Sequence, residues 1–165
     1  MVVDITCHMS SDPAAKVVVP SPIVVPLSPA AFHRWATQFL EAARVLPPTP
    51  DFSPVPLLLL SRAIELELKA RHLITKNQNA VKKEFGHDLV KSYNALPREQ
   101  QILRTEEMDV LTKCSKSYNV PNKYFDFWSP AAALRGFSMF PNQAELLRIT
   151  EKLVAFGSSM PDLSV

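Results

Sequence analysis

The chain has 165 residues, 47% of them hydrophobic, and a formal net charge of +2, which suits one domain with a sizeable core. That near-neutral balance gives no support to a dedicated nucleic-acid binder, whose whole-chain charge is strongly basic. Three glycines beside 15 prolines argue against a strand-rich fold, which spends more glycine on its turns and cannot place proline inside its ladders.

The prolines gather between Pro13 and Pro29 and between Pro47 and Pro56, so those stretches read as linkers and helix starts. Residues 1–27 carry no helical period and are expected to form an extended Pro-rich arm, disordered at its beginning. No apolar stretch approaches the roughly 20 residues that span a bilayer. The N-terminus also lacks the basic region of a signal peptide. The expectation is a cytoplasmic chain with no membrane contact. Cys7 falls in the arm and Cys114 at an apolar helical position, which does not read as a structural disulfide.

The domain proper is expected over 28–157, with a short polar tail over 158–165. Ser28-Pro29 is an N-cap followed by proline at the first helical position. Phe32, Trp35, Ala36, Phe39, Leu40 and Ala43 then recur at spacings of three and four, which gives one face to a core. Ser53-Pro54 repeats the start device. From Val55 the next helix is apolar all round, as expected of a central helix covered on every side. It becomes amphipathic further on, with Ser61, Glu65, Lys69, His72 and Lys76 in a polar line.

Residues 75–84 are polar and read as a loop or a frayed turn. A third helix is expected from His87 to Leu96, with Asp88 in its first turn, and a fourth from about Arg98 to Tyr118. Residues 119–141 are irregular by pattern but aromatic, with Tyr124, Phe125, Phe127, Trp128, Phe137 and Phe140. Asn142 with Glu145 resembles a capping box. Leu146, Ile149, Leu153 and Phe156 give the last helix its face, and Gly157 reads as its stop. The expected fold is all-α, an up-and-down bundle of about five helices with a Pro-rich N-terminal arm.

Chemistry is sparser. His8, His33, His72 and His87 share no ligand spacing, and no HExxH or CxxC occurs, so no metal is expected. Three isolated glycines make no phosphate-cradling loop, and no other cofactor is implied. The polar line on the second helix is the best constellation. Glu65 with Lys69 and Glu67 with Arg71 are i, i+4 pairs in the favourable order, which ordinarily support a solvated helix face. His87 follows a glycine at a helix start, and reads either as a capping histidine packed against a neighbouring helix or as a general acid/base or phosphate contact. Candidate catalytic residues are therefore His87, Glu65 and Lys69; candidate binding residues are Asp88, Lys123 and Tyr124.

These residues also carry a family likeness. Ile64-Glu65-Leu66-Glu67-Leu68-Lys69-Ala70, then Gly86-His87-Asp88-Leu89 after a variable loop, then Lys123-Tyr124-Phe125, resembles the HEPN superfamily of small helical-bundle proteins over about half the chain. The resemblance implies a homodimer, and many such proteins are metal-independent ribonucleases of toxin–antitoxin or stress systems. Others are binding modules without catalysis. The ribonucleases carry an arginine four to six residues before a histidine. Here no arginine stands so placed, although Lys82 precedes His87 with four residues between. Lysine lacks the planar fork with which arginine grips a phosphate.

The reading is thus a non-catalytic HEPN-like accessory module in a prokaryotic defence or stress system, with RNA, a nucleotide or a cognate protein as partner. A ribonuclease with a non-standard site is the alternative. A helical scaffold for protein assembly, using its N-terminal arm, is the second.

Overall fold

The computed structural model describes residues 28–46, 53–118 and 140–163. The arm over 1–27 and the aromatic residues from Tyr124 to Phe137 lie outside them. The described chain is all-α: α1 (Pro29–Arg44), α2 (Pro54–Leu73), α3 (Gln78–Phe85), α4 (Leu89–Asn94), a single 3-10 turn (Arg98–Gln100), α5 (Thr105–Tyr118) and α6 (Gln143–Ser158). Among the described residues there is no strand, and no helix is long and apolar enough to cross a membrane.

α1 starts as its sequence dictates. Ser28 Oγ accepts from Ala31 N at 3.1 Å, with Pro29 in the first helical position, and Phe32, Ala36, Leu40 and Ala43 are buried. The Ser53-Pro54 start keeps the proline but makes no side-chain cap bond. α2 is the hub of the fold and touches α1, α3, α4, α5 and α6.

Its burial departs from expectation in two places. The apolar start is not covered on every side, since Val55 and Leu58 are exposed. Every residue from Ala63 to Leu68 is buried, Glu65 and Glu67 included. The reason lies in the neighbours. Side-chain and backbone partners from α1 (His33), α4 (Ser92), α5 (Tyr118) and α6 (Leu153) all meet α2 between Glu65 and His72.

Several element limits differ from those the pattern predicts. The polar stretch before Gly86 is a helix, α3, and not a loop. Asn77 Oδ1 caps it by accepting from Ala80 N at 2.9 Å, Val81 and Phe85 bury one side at i, i+4, and the Lys76 ammonium lies 4.8 Å from the Phe85 ring centre. Gly86 ends it with a φ of 56°, a left-handed conformation that glycine adopts without strain. α4 consequently begins at Leu89, not His87, with Asp88 as its N-cap accepting from Lys91 N at 2.9 Å. It ends at Asn94.

The long fourth helix is split. Gln101 donates its amide to Leu96 O at 2.8 Å and to Asn94 O at 3.2 Å. Tyr93 Oη accepts from Leu103 N at 2.6 Å. These bonds hold 101–104 out of helix, and α5 starts only at Thr105.

Glu107, buried at the head of α5, accepts from Arg148 at 2.7 Å, Lys152 at 2.7 Å and Arg104 N at 2.8 Å. Burial alone would raise its pKa, but the bonds from Lys152, the Arg104 amide and Arg148 prevail and hold it at about 2, against an ordinary 4.5. A depressed carboxylate stabilises the fold above its unfolded pKa and loses that contribution as the pH falls through its folded one. Stability is therefore expected to decline between about pH 4.5 and about pH 2, and Glu107→Gln is expected to flatten that limb in acid titrations followed by circular dichroism. At pH 7 the same substitution should cost ~2 kcal/mol, the scale of a lost charged hydrogen bond.

At the far end, Gly157 is not a stop. α6 runs through it to Ser158, and a Cβ on Gly157 would collide with the Glu67 carboxylate. The residue is small because α2 and α6 approach closely there. Nor is the whole tail polar surface: Leu163 is fully buried in the core.

Candidate functional site

α2 places two buried carboxylates on different sides of one helix. Glu65 Oε1 accepts from Lys69 one turn on and from His87 Nδ1 at 3.0 Å, while Oε2 accepts from Arg62 at 2.9 Å and from the Tyr118 hydroxyl. The carboxylate is almost wholly buried, its side chain 2% exposed, whereas that of His87 is 62% exposed and that of Arg62 39%. Four donors from three elements thus converge on one acceptor: α2 itself, the α3–α4 turn and the end of α5. The imidazole ring also sits edge-on to Tyr118, with centroids 6.0 Å apart.

The electrostatics follow. Burial opposes the charge on Glu65, but the bonds from Lys69 and Tyr118 and the charges of Lys69 and Arg62 outweigh it and hold the carboxyl below its usual range. Burial raises the Tyr118 pKa, and the Glu65 charge and hydrogen bond add to it. Tyr118 is accordingly a donor here and not an anion. Glu65, with both oxygens engaged, is an anchor and not a free base. His87 gives its Nδ1–H to Glu65 and keeps Nε2 without a partner among the described residues. One negative charge faces two positive ones, so the exposed rim carries a net positive charge.

Glu65, Lys69 and His87, which the sequence singled out separately, therefore meet at one carboxylate. The i, i+4 pairs on α2 are not surface supports. Asp88 stands apart, because its Oδ1 caps α4 and accepts from Ser115 Oγ at 3.4 Å. Lys123 and Tyr124 lie outside the described residues. Sequence reasoning missed two members. Arg62 stood three residues before Glu65, one helical turn, and was readable as a neighbour. Tyr118 closes the fourth helix of the sequence pattern, and nothing in the sequence linked its hydroxyl to α2.

On α2's other side Glu67 is fully enclosed. Oε1 accepts from Arg71 Nε at 2.9 Å, and Oε2 from His33 Nδ1 at 2.6 Å. Arg71 extends to Leu153 O and Gln100 O and lies 4.9 Å from the Phe156 ring centre. The one histidine of α2, His72, donates to Ser92 O at 2.8 Å and stacks on Phe85 at 4.1 Å. Burial lowers its pKa and favours the neutral ring. Cys114 is fully buried beside Ser61, and burial pushes its thiol up to about 12, which makes it inert as a nucleophile. Among the described residues, no group of three or more His, Cys, Asp or Glu could hold a metal ion.

Comparison with protein-family models, with curated proteins and with solved structures finds no match to this chain.

Proposed function

We propose that this chain is a HEPN-like accessory module that binds a phosphate-bearing ligand, RNA or a nucleotide, at the Glu65-centred rim. It does so as a cytoplasmic homodimer in a prokaryotic defence or stress-response system. Its helices form an up-and-down bundle with a Pro-rich N-terminal arm. The observation that carries the reading is the convergence of Lys69 and His87, residues of two of the three motifs behind the resemblance, on the buried Glu65 carboxylate. A buried anion holding Arg62 and Lys69 in fixed orientations pre-organises two cations for an incoming phosphate beside the exposed His87 ring, which reduces the ordering cost of binding. Contacts of this type are charge-assisted and weaken with salt.

The test is fluorescence anisotropy with a labelled single-stranded RNA, beside calorimetry with nucleoside mono- and triphosphates. His87→Ala and Arg62→Ala should each weaken binding roughly tenfold, the scale of one charged hydrogen bond. His87→Ala should leave the thermal midpoint nearly unchanged, because its side chain is mostly in solvent. Equal affinity in parent and both variants would sink the proposal.

A second reading, a metal-independent ribonuclease, draws on the His87–Glu65 pair. A carboxylate on Nδ1 fixes the tautomer and turns Nε2 outward as a proton acceptor, as a general base requires. Incubation with mixed RNA in chelator separates the two readings. Cleavage by the parent and not by His87→Ala supports the ribonuclease, and intact RNA with retained binding supports the module.

A further inference from the structure

A third chemistry-bearing cluster lies away from the Glu65 rim and uses none of its residues. His33, in the second turn of α1, gives its Nδ1–H to Glu67 Oε2 at 2.6 Å. Its other nitrogen, Nε2, is 3.2 Å from Ser158 Oγ on the last turn of α6. Glu67 is fully buried and His33 is 8% exposed, while Ser158 reaches solvent. Arg71 neutralises the second carboxylate oxygen and is itself fixed by the Leu153 and Gln100 carbonyls. The order is an exposed hydroxyl, an imidazole presenting Nε2 to it, and a buried carboxylate on Nδ1. That is the geometry by which a base activates a serine, recognised by roles and not by chain position.

We propose that Ser158, His33 and Glu67 form a nucleophilic relay that accepts an acyl group from small carboxylic esters with good leaving groups. Ser158 Oγ attacks the ester carbonyl as its proton passes to His33 Nε2. The Oγ–C bond forms, the C–O bond to the leaving group breaks, and the proton passes from Nε2 to the departing oxygen. Glu67 orients the imidazole and stabilises its protonated form during transfer, and Arg71 holds Glu67 in place.

Two features shape the outcome. Ser158 Oγ is also 3.1 Å from Val154 O, so its proton has a competing acceptor. Its position on the last helical turn surrounds the reacting carbon with carbonyl ends of the helix, which disfavour an oxyanion. Acylation is therefore expected to be slow and to stop at one equivalent, because hydrolysis of the acyl-serine meets the same obstacle.

The experiment is incubation of the full chain with p-nitrophenyl acetate, following p-nitrophenolate release and the intact mass, with fragment mapping to separate Ser158 from Ser159 and Lys152. The expected result is one acetyl group on Ser158. It should be absent in Ser158→Ala, an exposed change that leaves the fold in place, and retained in Ser159→Ala. His33→Gln, verified as folded by circular dichroism, should acylate at least roughly tenfold more slowly, the lower range for loss of a general base. No adduct, an adduct persisting in Ser158→Ala, or an unchanged rate in folded His33→Gln would each overturn the relay.

Discussion

Among the described charged residues, Arg71→Ala should be the most destabilising change to alanine, lowering stability by about 3–5 kcal/mol, the cost of leaving one member of a buried ion pair uncompensated. Glu67 would lose its guanidinium partner at a site with no access to water, and the Leu153 carbonyl would lose its donor. The Phe156 ring would lose the guanidinium against it. A domain of this size is stable by only about 5–15 kcal/mol, so the variant is expected to unfold at much lower urea or not to accumulate. The double variant Glu67→Leu/Arg71→Met provides the control. Removing both charges for apolar groups of similar volume is often neutral or stabilising, so it should recover most of the loss. Equilibrium urea unfolding of parent, single and double variants measures this. A single variant within about 1 kcal/mol of the parent would show that water reaches Glu67.

That pair also marks the boundary of what the sequence could reveal. Glu67-Arg71 and Glu65-Lys69 have identical spacing on one helix, and the ordinary meaning of such spacing is a solvated face. What reversed it was a long-range event: α1, α4, α5 and α6 all close on the C-terminal half of α2. Period alone could not say that, because Val55 and Leu58, the apolar residues, ended exposed. Local signals fared better. Ser28 and Asn142 cap the helices they were expected to cap, Asn142 Oδ1 accepting from both Ala144 N and Glu145 N. Each of those bonds spans two or three residues, and local chemistry decides it.

Element limits failed where a distant or subtle bond decided them. Gln101 reaching back to Leu96 broke a helix that charge alternation alone extends to Arg98. Asn77, an N-cap inside a polar stretch, made a helix where polarity suggested a loop. Gly157 read as a stop because glycine usually ends helices, whereas here its missing Cβ admits the Glu67 carboxylate. For the site, Glu65, Lys69 and His87 were readable one by one, but their meeting point required the turn at Gly86 to carry His87 back over α2. His33 and Ser158 share a contact across 125 positions, and no spacing rule joins residues so far apart.

Glu65→Ala should have the second-largest effect, and it acts on stability and binding together. The Tyr118 hydroxyl, the Lys69 ammonium and the Arg62 guanidinium would lose their shared acceptor, and the end of α5 its tie to α2. Because Arg62 and Lys69 are partly exposed, water would recover some of that loss. The expected cost is ~3 kcal/mol, near the upper end for hydrogen bonds to a charged group. Glu65→Gln discriminates further. An amide keeps one acceptor oxygen for Lys69 and His87 but turns an NH2 toward Tyr118 and Arg62; the hydroxyl can rotate to accept, whereas the guanidinium only donates, so one clash of like dipoles results. It should cost nearly as much stability as alanine and free the Arg62 guanidinium from its fixed orientation. Ligand affinity measured by anisotropy should then fall in Glu65→Gln by at least as much as in His87→Ala, although Glu65 itself never meets the ligand. If Glu65→Gln binds as the parent does while its melting point drops, the carboxylate is a structural tie alone and the ligand site lies elsewhere.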